Sequence, residues 1–347
     1  MYKSKQRPGV FSTYVVSGKN GSGSSEKAVG LVATTDAGEC GKMYKFTRLS
    51  TLGEVFGNSG NMWRMGEILF GGNVSKIYCI GIDSEADNMA DLYSEGFELL
   101  ELFEDIGAVV CDSEDIEVHK QMKKSVEKCS KSHKERVGFC CTSIEDAEVE
   151  AKQLDSERMC VASPLVSYGG SDEGCYLAAV YAAISTGSGD AAQNLNMSEF
   201  MGNFVMSETV DEEMLDQLID GGVSVFEPME NGVRLIRAVT TKNMLGNASS
   251  GLGELSTVRI IDDVMVTIRN MLKTRLKGAK NSKSTLESIR TQTALELEEK
   301  LSREIISSYE APLVYPSQDD PSICIVEISF TVMYVMHQIH LMAYISV

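Results

Sequence analysis

The chain has 347 residues, of which 43% are hydrophobic and 24% are charged, and its formal net charge is -18. This length accommodates two domains, and the composition is ordinary for a folded globular protein. The acidic charge argues against nucleic acid and anionic membrane surfaces as partners, because both attract basic proteins. We find no apolar run of the roughly 18 residues that a membrane span requires. Pro8-Gly9 follows the basic residues Lys3, Lys5 and Arg7 in place of an apolar segment, so we expect no signal peptide.

Residues 10–16 predict a short strand on a flexible tether. The residues that favour a strand there are Val10, Phe11, Tyr14, Val15 and Val16. The following residues 17–25 are rich in Gly and Ser, including Gly18, Gly21 and Gly23, and this composition is typical of a flexible linker. A tethered strand can add to the sheet of a neighbouring subunit, whereas the plainer alternative is that it pairs within its own subunit.

Strands and helices alternate along residues 28–185. The apolar patterns predict strand 28–33, helices 49–56 and 61–70, strand 74–82, helix 86–104, strand 107–111, helix 116–129, strand 136–142, helix 144–154, strand 159–166 and helix 174–185. Strands separated by helices of about 10–15 residues indicate βαβ units. We therefore predict an α/β fold whose mainly parallel sheet carries helices on both faces.

The next part of the chain has a different pattern. Residues 186–209 are polar and predict a long surface loop, which a short helix at 212–219 follows. Segments 223–226 and 233–239 flank Asn231-Gly232, which is typical of a hairpin turn. Two long helices are predicted at 258–276 and 284–306, and residues 312–315 then lead into a terminal pair of strands.

The terminal strands are predicted at residues 323–334 and 337–347. In the second strand the apolar residues occupy alternate positions, at Ile339, Leu341, Ala343, Ile345 and Val347. The phase of the alternation changes near Met336, which predicts a turn or bulge between two paired strands. An unpaired hydrophobic edge is an aggregation hazard, so we interpret this strand as an arm that another copy of the chain completes. Pairing within the same subunit is the alternative.

The sequence has few residues that could catalyse a reaction or bind a metal or a phosphate. Gly18 and Gly23 have the spacing of a phosphate-binding loop, but Ser24 stands where that loop needs a lysine. His119 and His133 lie in or just after a charged helix that we expect to be solvated, and His337 and His340 point to opposite faces of a strand. We therefore predict no catalytic residue, no metal site and no cofactor.

The cysteines are interpreted as core residues. None of the nine has the C-x-x-C spacing of zinc or redox sites. Six fall inside apolar, strand-like runs: Cys79, Cys111, Cys140, Cys141, Cys160 and Cys324. A buried thiol behaves as a small hydrophobic group, so we expect reduced cysteines in a protein made in a cytoplasm.

One short segment is basic despite the acidic background. Between residues 269 and 290 the only acid is Glu287, and the cations are Arg269, Lys273, Arg275, Lys277, Lys280, Lys283 and Arg290. One interpretation is a helix C-terminus that cations stabilise, followed by a solvated loop. The other is an electropositive patch that docks on an acidic partner.

Three stretches of the N-terminal region resemble a known family. Residues 5–12, Lys-Gln-Arg-Pro-Gly-Val-Phe-Ser, together with 26–33 and with 46–57, Phe-Thr-Arg-Leu-Ser-Thr-Leu-Gly-Glu-Val-Phe-Gly, resemble tail sheath proteins of contractile phage tails from Gram-positive prophages and of related contractile bacteriocins. The resemblance implies a non-enzymatic subunit of a helical sleeve that surrounds an inner tube and contracts to drive the tube through a target envelope. It also implies that the N- and C-terminal arms join sheets of copies in the same and adjacent rings.

The resemblance implies partners and roles as well. The partners are other copies of the chain, the tail tube protein, and the baseplate and tail terminator proteins of a particle made in a host cytoplasm. The linker glycines become a hinge, and our candidates for the tube-facing patch are Lys273, Arg275, Lys277, Lys280 and Lys283. The alternative is a cytoplasmic α/β enzyme with a small-molecule site at the carboxyl edge of its parallel sheet.

These interpretations divide the chain into four parts. Residues 1–25 form the N-terminal arm and linker, and residues 26–250 form the α/β body. Residues 251–322 are the helical part of an α+β C-terminal assembly domain, and residues 323–347 are its β arm. In this scheme the extended N- and C-terminal strands complete the assembly domain.

Overall fold

A computed structural model describes residues 27–242, 251–276, 280–320, 322–337 and 339–343. The predicted arm at 10–16, the linker glycines, Lys277, Ile345 and Val347 lie outside these residues. The strands are β1 Ala28–Thr35, β2 Met43–Phe46, β3 Ile77–Asp83, β4 Ile106–Cys111, β5 Val137–Cys141, β6 Met159–Ser163, β7 Val166–Tyr168, β8 Glu173–Gly174, β9 Ser198–Met201, β10 Phe204–Val205, β11 Val223–Met229, β12 Gly232–Leu235, β13 Ile306–Tyr309, β14 Leu313–Pro316, β15 Cys324–Glu327 and β16 Phe330–Val332.

The helices follow the predicted alternation with small shifts at their ends. They are α1 Leu49–Phe56, α2 Gly60–Gly71, α3 Met89–Leu100, α4 Ile116–Lys131, α5 Ile144–Leu154, α6 Tyr176–Gly187, α7 Glu212–Asp220, α8 Leu255–Leu276 and α9 Lys283–Ser302. Four of the helices begin at a side chain that accepts a hydrogen bond from the backbone of the first turn: Asp115, Ser143, Asp211 and Ser282. No helix in the described ranges is long and apolar enough to cross a membrane.

One mixed sheet organises the body. Within the described residues it has the order β2-β3-β1-β4-β5-β6-β11-β12-β9. The six strands from β3 to β11 are parallel, while β2, β12 and β9 pair antiparallel at the two sides. The order β3-β1-β4-β5-β6 is that of a doubly wound sheet, in which the chain starts in the middle and extends in both directions. The predicted α/β class with a mainly parallel sheet is confirmed.

Both faces of this sheet are buried, which explains why its strands have nearly continuous apolar sequences. On β1, Leu31 points into the core layer that contains residues of α1, α2 and α6. Its neighbour Val32 points into the opposite layer, which contains residues of α3, α4, α5 and α7. Successive side chains of a strand alternate between faces, so each strand supplies both layers.

Helix α4 differs from its prediction at His119. We expected this histidine on a solvated face, but it is fully buried, and it contacts Glu150 of α5. His119 is adjacent to Val118 and lies three residues before Met122, and both of these are buried in the same layer. The buried face of α4 is therefore wider than its apolar residues alone indicated.

The C-terminal strands also pair differently from the prediction. The predicted strand at 323–334 contains β15 and β16, which pair antiparallel with β14 and β13 rather than with the described residues 337 and 339–343. A backbone hydrogen bond from Glu310 to Ser329 joins the two pairs end to end into one long hairpin. The prediction was wrong because it extended a helix through residue 306. Helix α9 ends at Ser302, and Glu304 takes a left-handed conformation with φ of 56° before β13 begins.

A close approach between α6 and the end of α2 leads to a stability prediction. A Cβ atom on Gly187 would lie 2.1 Å from the backbone oxygen of Gly72, whereas one on Gly189 would meet no atom within 4 Å. We expect Gly187→Ala to lower the free energy of unfolding by about 1–3 kcal/mol, because the clash involves backbone that must move.

Urea unfolding of the two variants checks this expectation. Gly189→Ala is the matched control and should stay within about 0.5 kcal/mol of the unsubstituted chain. Equal stabilities of the two variants would contradict the close packing of α6 against α2.

Candidate assembly surface

Helix α8 connects the body to the C-terminal unit, which comprises α8, α9 and the β13–β16 hairpin. The first turn of α8 contributes Leu255 and Val258 to the core of the body. Further along the helix, Ile260, Val264 and Ile268 form a separate core with α9 and the hairpin. A single helix therefore belongs to both cores and carries the C-terminal unit on the body.

Two arginine–carboxylate pairs hold α8 in place. Arg158 donates from Nη1 and Nη2 to the carboxylate of Asp262 at 2.5 and 2.8 Å. Arg269 donates in the same way to Glu135 at 3.1 and 2.7 Å. In each pair one partner is on α8 and the other is on the body. Bidentate pairs of this kind are strong, and they fix the orientation of the two side chains as well as their distance.

The ionisation of these groups reflects their pairing. Burial by itself would lower the pKa of Arg158, but the hydrogen bond to Asp262 outweighs it and the pKa is raised. Burial would raise the pKa of Glu135, yet the hydrogen bonds from Arg269 lower it. Pairing therefore favours the charged forms of Arg158 and Glu135.

The predicted basic patch is smaller than its sequence suggested. Arg269 is engaged with Glu135, and Arg290 contacts Glu287 on the same helix. Lys273, Lys280 and Lys283 are exposed and form no ion pair with another described residue. Arg275 is part of α8, and Lys277 lies outside the described ranges. The free cations that can be described are thus three lysines at the connection between α8 and α9, which we name the lysine patch.

An apolar groove of about 450 Å³ lies beside the lysine patch, between α8, α9 and β15. Its apolar lining residues are Met265, Ile268, Leu272, Leu286, Ile289, Cys324, Val326 and Ile328. Lys273 and Lys280 of the lysine patch contribute to the same lining. The groove can therefore accept an apolar segment whose ends are polar or acidic.

The hairpin beside this groove has strand edges that are not hydrogen-bonded to another described strand. Within the described residues, β13 pairs with β16 alone and β14 pairs with β15 alone. Each of these strands keeps one edge without a backbone partner from the described part of the chain. Such edges present N–H and C=O groups to which a further strand can pair.

The C-terminal segment leaves the body after His337. Up to that point three hydrogen bonds hold it. The backbone N–H of Met333 donates to the oxygen of Ile305 at 3.3 Å, and Asn194 donates to the backbone oxygen of Met336 at 2.9 Å. The side chain of Asn196 contacts His337 at 2.8 Å. Beyond it, three large apolar side chains are almost fully exposed: Ile339 at 83%, Leu341 at 91% and Met342 at 75%. Ala343 is also exposed, and the described residues of this segment form no strand with their own body.

The carboxyl edge of the parallel sheet, where the enzyme alternative placed its site, is occupied by a hydrogen-bond network. Asp112 follows β4 and accepts hydrogen bonds from the backbone and hydroxyl of Thr34, from Asn61 and from Tyr93, at 2.5–3.0 Å. Burial and the adjacent Asp112 raise the pKa of Tyr93, which keeps its hydroxyl as a donor. These contacts join β1 and β4 to α2 and α3, so Asp112 stabilises the body.

Comparison with known proteins gives a consistent result. No protein-family model matches the chain. The tail sheath protein of Bacillus phage SP01 is 33% identical over 96 residues, which are 27% of this chain and 16% of that protein. The match therefore spans about one sixth of the length of that curated relative.

Solved structures match over nearly the whole chain. The helical sheath of the anti-feeding prophage in its contracted state has a TM-score of 0.76 at 15% identity, covering 99% of both chains. The sheath tail protein from Desulfitobacterium hafniense has a TM-score of 0.70 at 9% identity, covering 93% of this chain and 100% of that one. This chain therefore has the fold of contractile tail sheath proteins. The resemblance noted in the sequence is confirmed, and at these identities the similarity establishes the fold.

The pairing of Arg269 generates a second prediction. We expect Arg269→Met to lower the free energy of unfolding by about 1.5–3 kcal/mol, because it leaves the mostly buried carboxylate of Glu135 without its donor. Lys273→Met, one turn further along the same helix, should change it by less than about 0.5 kcal/mol.

Chemical denaturation of the two purified variants measures this difference. If Arg269→Met were no more destabilising than Lys273→Met, Arg269 would have to be regarded as a free member of the lysine patch.

Proposed function

We propose that this chain is a structural, non-enzymatic subunit of a contractile tail sheath, linked to its neighbours by exchange of β-strands. The observation that carries the proposal is the course of the C-terminal segment. It leaves the body after His337 with apolar side chains exposed to 83% and 91% at Ile339 and Leu341. A segment with this alternation is unfavourable in water and favourable when it pairs with a foreign edge.

The hairpin supplies a matching acceptor. Its strands have free edges, and the apolar groove between α8, α9 and β15 lies next to them. We propose that the C-terminal arm of one copy adds to the hairpin of another, with backbone hydrogen bonds providing affinity and the groove receiving side chains. Each copy would then donate an arm and accept one. Such a contact is heterologous, and it generates an open helical polymer when its rotation does not close.

We propose that the N-terminal part of the chain also takes part in strand exchange. Its predicted strand, with Val10, Phe11 and Tyr14, would pair with a second free edge, and Gly18, Gly21 and Gly23 would provide the hinge. The connected arms would link copies in the same and adjacent rings while the bodies change position. Under this proposal the C-terminal arm begins after His337, which shortens the arm proposed from the sequence at residue 323.

We propose the remaining partners from the lysine patch and from the family resemblance. We propose that Lys273, Lys280 and Lys283 face the tail tube and pair with acidic groups on it, together with Arg275 and Lys277 as predicted from the sequence. The baseplate and tail terminator proteins would bind the ends of the sheath. The particle, a phage tail or a phage-tail-like bacteriocin, would be made in the host cytoplasm.

The competing proposal of a small-molecule enzyme has less support. Ligands of doubly wound sheets bind at the carboxyl edges of the strands, near the point where the strand order reverses. At that point Asp112 is engaged by Thr34, Asn61 and Tyr93 of its own chain. Contraction also needs no catalysis, because the free energy can be stored during assembly and released as new contacts form.

Proline substitutions in the arm test strand exchange. Leu341→Pro and Met342→Pro each remove a backbone N–H, and successive N–H groups of a strand point to opposite sides. At least one of the two variants should therefore fail to form sheaths in negative-stain microscopy while remaining a folded monomer. Leu341→Ile and Met342→Leu are the matched controls and should assemble, because they keep both the N–H donors and apolar side chains. Normal polymers from both proline variants would refute exchange of this arm.

Charge reversal tests the lysine patch. Changing Lys273, Lys280 and Lys283 to Glu should prevent assembly on tubes without unfolding the chain, because the changed surface would repel an acidic tube. The control replaces Lys120, Lys124 and Lys131 on α4 by Glu, which changes the net charge equally on another face of the body.

Sheath length on purified tubes, measured by electron microscopy, reports the outcome. Sheaths of normal length from the lysine-patch variant, or an equal defect in the α4 control, would show that this patch does not contact the tube.

A further inference from the structure

Three side chains of types that can bind a metal ion converge inside the body, away from the assembly surface. They come from three consecutive elements: His119 on α4, Cys140 on β5 and Glu150 on α5. Their ligand atoms all lie within 4.8 Å of one another. His119 and Cys140 are fully buried, and Glu150 is 4% exposed. The sequence did not indicate this cluster, because its members are separated by up to 31 residues and His119 was expected on a solvated face.

The orientation of His119 suits a metal ligand. Its Nε2 atom lies 2.7 Å from the backbone oxygen of Ser113, and because a carbonyl only accepts, Nε2 carries a proton. Its Nδ1 atom faces Glu150 Oε1 at 2.5 Å. A histidine that binds a metal through one nitrogen usually donates its other N–H to a carbonyl or carboxylate, which fixes the ring. Ser113 provides this contact.

The set of donors favours zinc. A thiolate, an imidazole and a carboxylate are ligands that Zn²⁺ accepts together, and its bond lengths of about 2.0–2.3 Å place tetrahedral ligand atoms roughly 3.3–3.7 Å apart. The thiol of Cys140 lies 3.9 Å from Glu150 Oε1, and His119 Nδ1 lies 2.5 Å from the same oxygen. Adjustments of about 1 Å therefore bring the three atoms to zinc-binding distances, within the freedom of their rotamers.

The cluster holds protons that a bound metal would displace. Burial alone would lower the pKa of His119, but Cys140, Cys111 and Glu150 outweigh it, and the pKa is raised well above the usual value. Burial raises the pKa of Cys140 to about 12, so its thiol keeps its proton unless a metal replaces it. Metal binding would release the proton of the thiol, and that of Nδ1 where the imidazole is charged, to solvent.

We infer that His119, Cys140 and Glu150 form a Zn²⁺ site that ties α4 and α5 to β5. The inference is independent of the proposed sheath function, because the cluster lies within one layer of the body. A water molecule, or a further protein ligand, completes four-coordination. Since the site is enclosed, the metal enters as the chain folds and stabilises the folded body.

Metal analysis of the full chain tests the inference. We expect protein produced in zinc-supplemented medium, and purified without chelator, to contain about one zinc ion per chain. Cys140→Ala and Glu150→Gln should reduce that content at least about tenfold. Cys79→Ala is the matched control, since Cys79 is equally buried but lies on β3, and it should retain the metal.

Cobalt provides a readout that does not depend on the variants folding. The unsubstituted chain refolded with Co²⁺ should show a near-ultraviolet thiolate-to-cobalt absorption and the visible bands of a tetrahedral ion. Absence of zinc and of these bands would overturn the inference and leave a buried histidine–glutamate pair that shares protons. Equal zinc content in Cys140→Ala and Cys79→Ala would overturn it as well.

Discussion

The docking of helix α8 determines where the rest of the C-terminal unit lies. The pairs Arg158–Asp262 and Arg269–Glu135 fix this helix at two points that are seven residues apart along its sequence. The apolar residues of α9 and the hairpin pack on the outer part of the same helix. Because charged pairs that are mostly buried have a narrow range of favourable geometries, they set the angle of the helix as well as its attachment. The groove, the free strand edges and the lysine patch therefore have a defined position relative to the body.

The two parts of the molecule differ in how completely they satisfy their own groups. In the body, the parallel strands are covered on both faces, and Asp112 at the carboxyl edge is engaged by its own chain. In the C-terminal unit and the segment that follows it, strand edges and apolar side chains such as Leu341 remain open to solvent within the described residues. Contact with another copy can pair these strand edges and bury these side chains, and so stabilise both copies. This contrast is the physical basis for proposing a polymer-forming subunit.

The buried cluster around His119 adds a polar element to a mostly apolar layer. A histidine, a carboxylate and a thiol in that layer cost desolvation energy unless they bind one another or a cation. Their position between consecutive βα units differs from that of the assembly surface. Stabilisation of the body and exposure of residues 339–343 can therefore be separated, so a stable body can coexist with a segment that we propose is completed only in the polymer.

Local patterns in the sequence determined most of the body. The α/β class was predictable, because its signals act over only a few positions. They are apolar runs such as residues 107–111, the spacing of apolar residues in helices such as α5, and helix-starting residues such as Ser143. The edge strand β9 was missed, because it contains no buried residue and lies in a polar stretch of the sequence. The cations of the basic segment were visible, but their pairing state was not.

Only the tertiary structure decided which distant residues meet. Arg269 finds Glu135 across 134 positions, which removes it from the basic patch. Strands β15 and β16 pair with β14 and β13 and not with the described residues that follow them. The sequence did not indicate this pairing, because a strand edge carries no mark of its partner. His119 becomes a core residue because Glu150 and Ser113 are brought to its two ring nitrogens. Short-range periodicity is a property of the sequence, whereas pairing depends on the path of the whole chain.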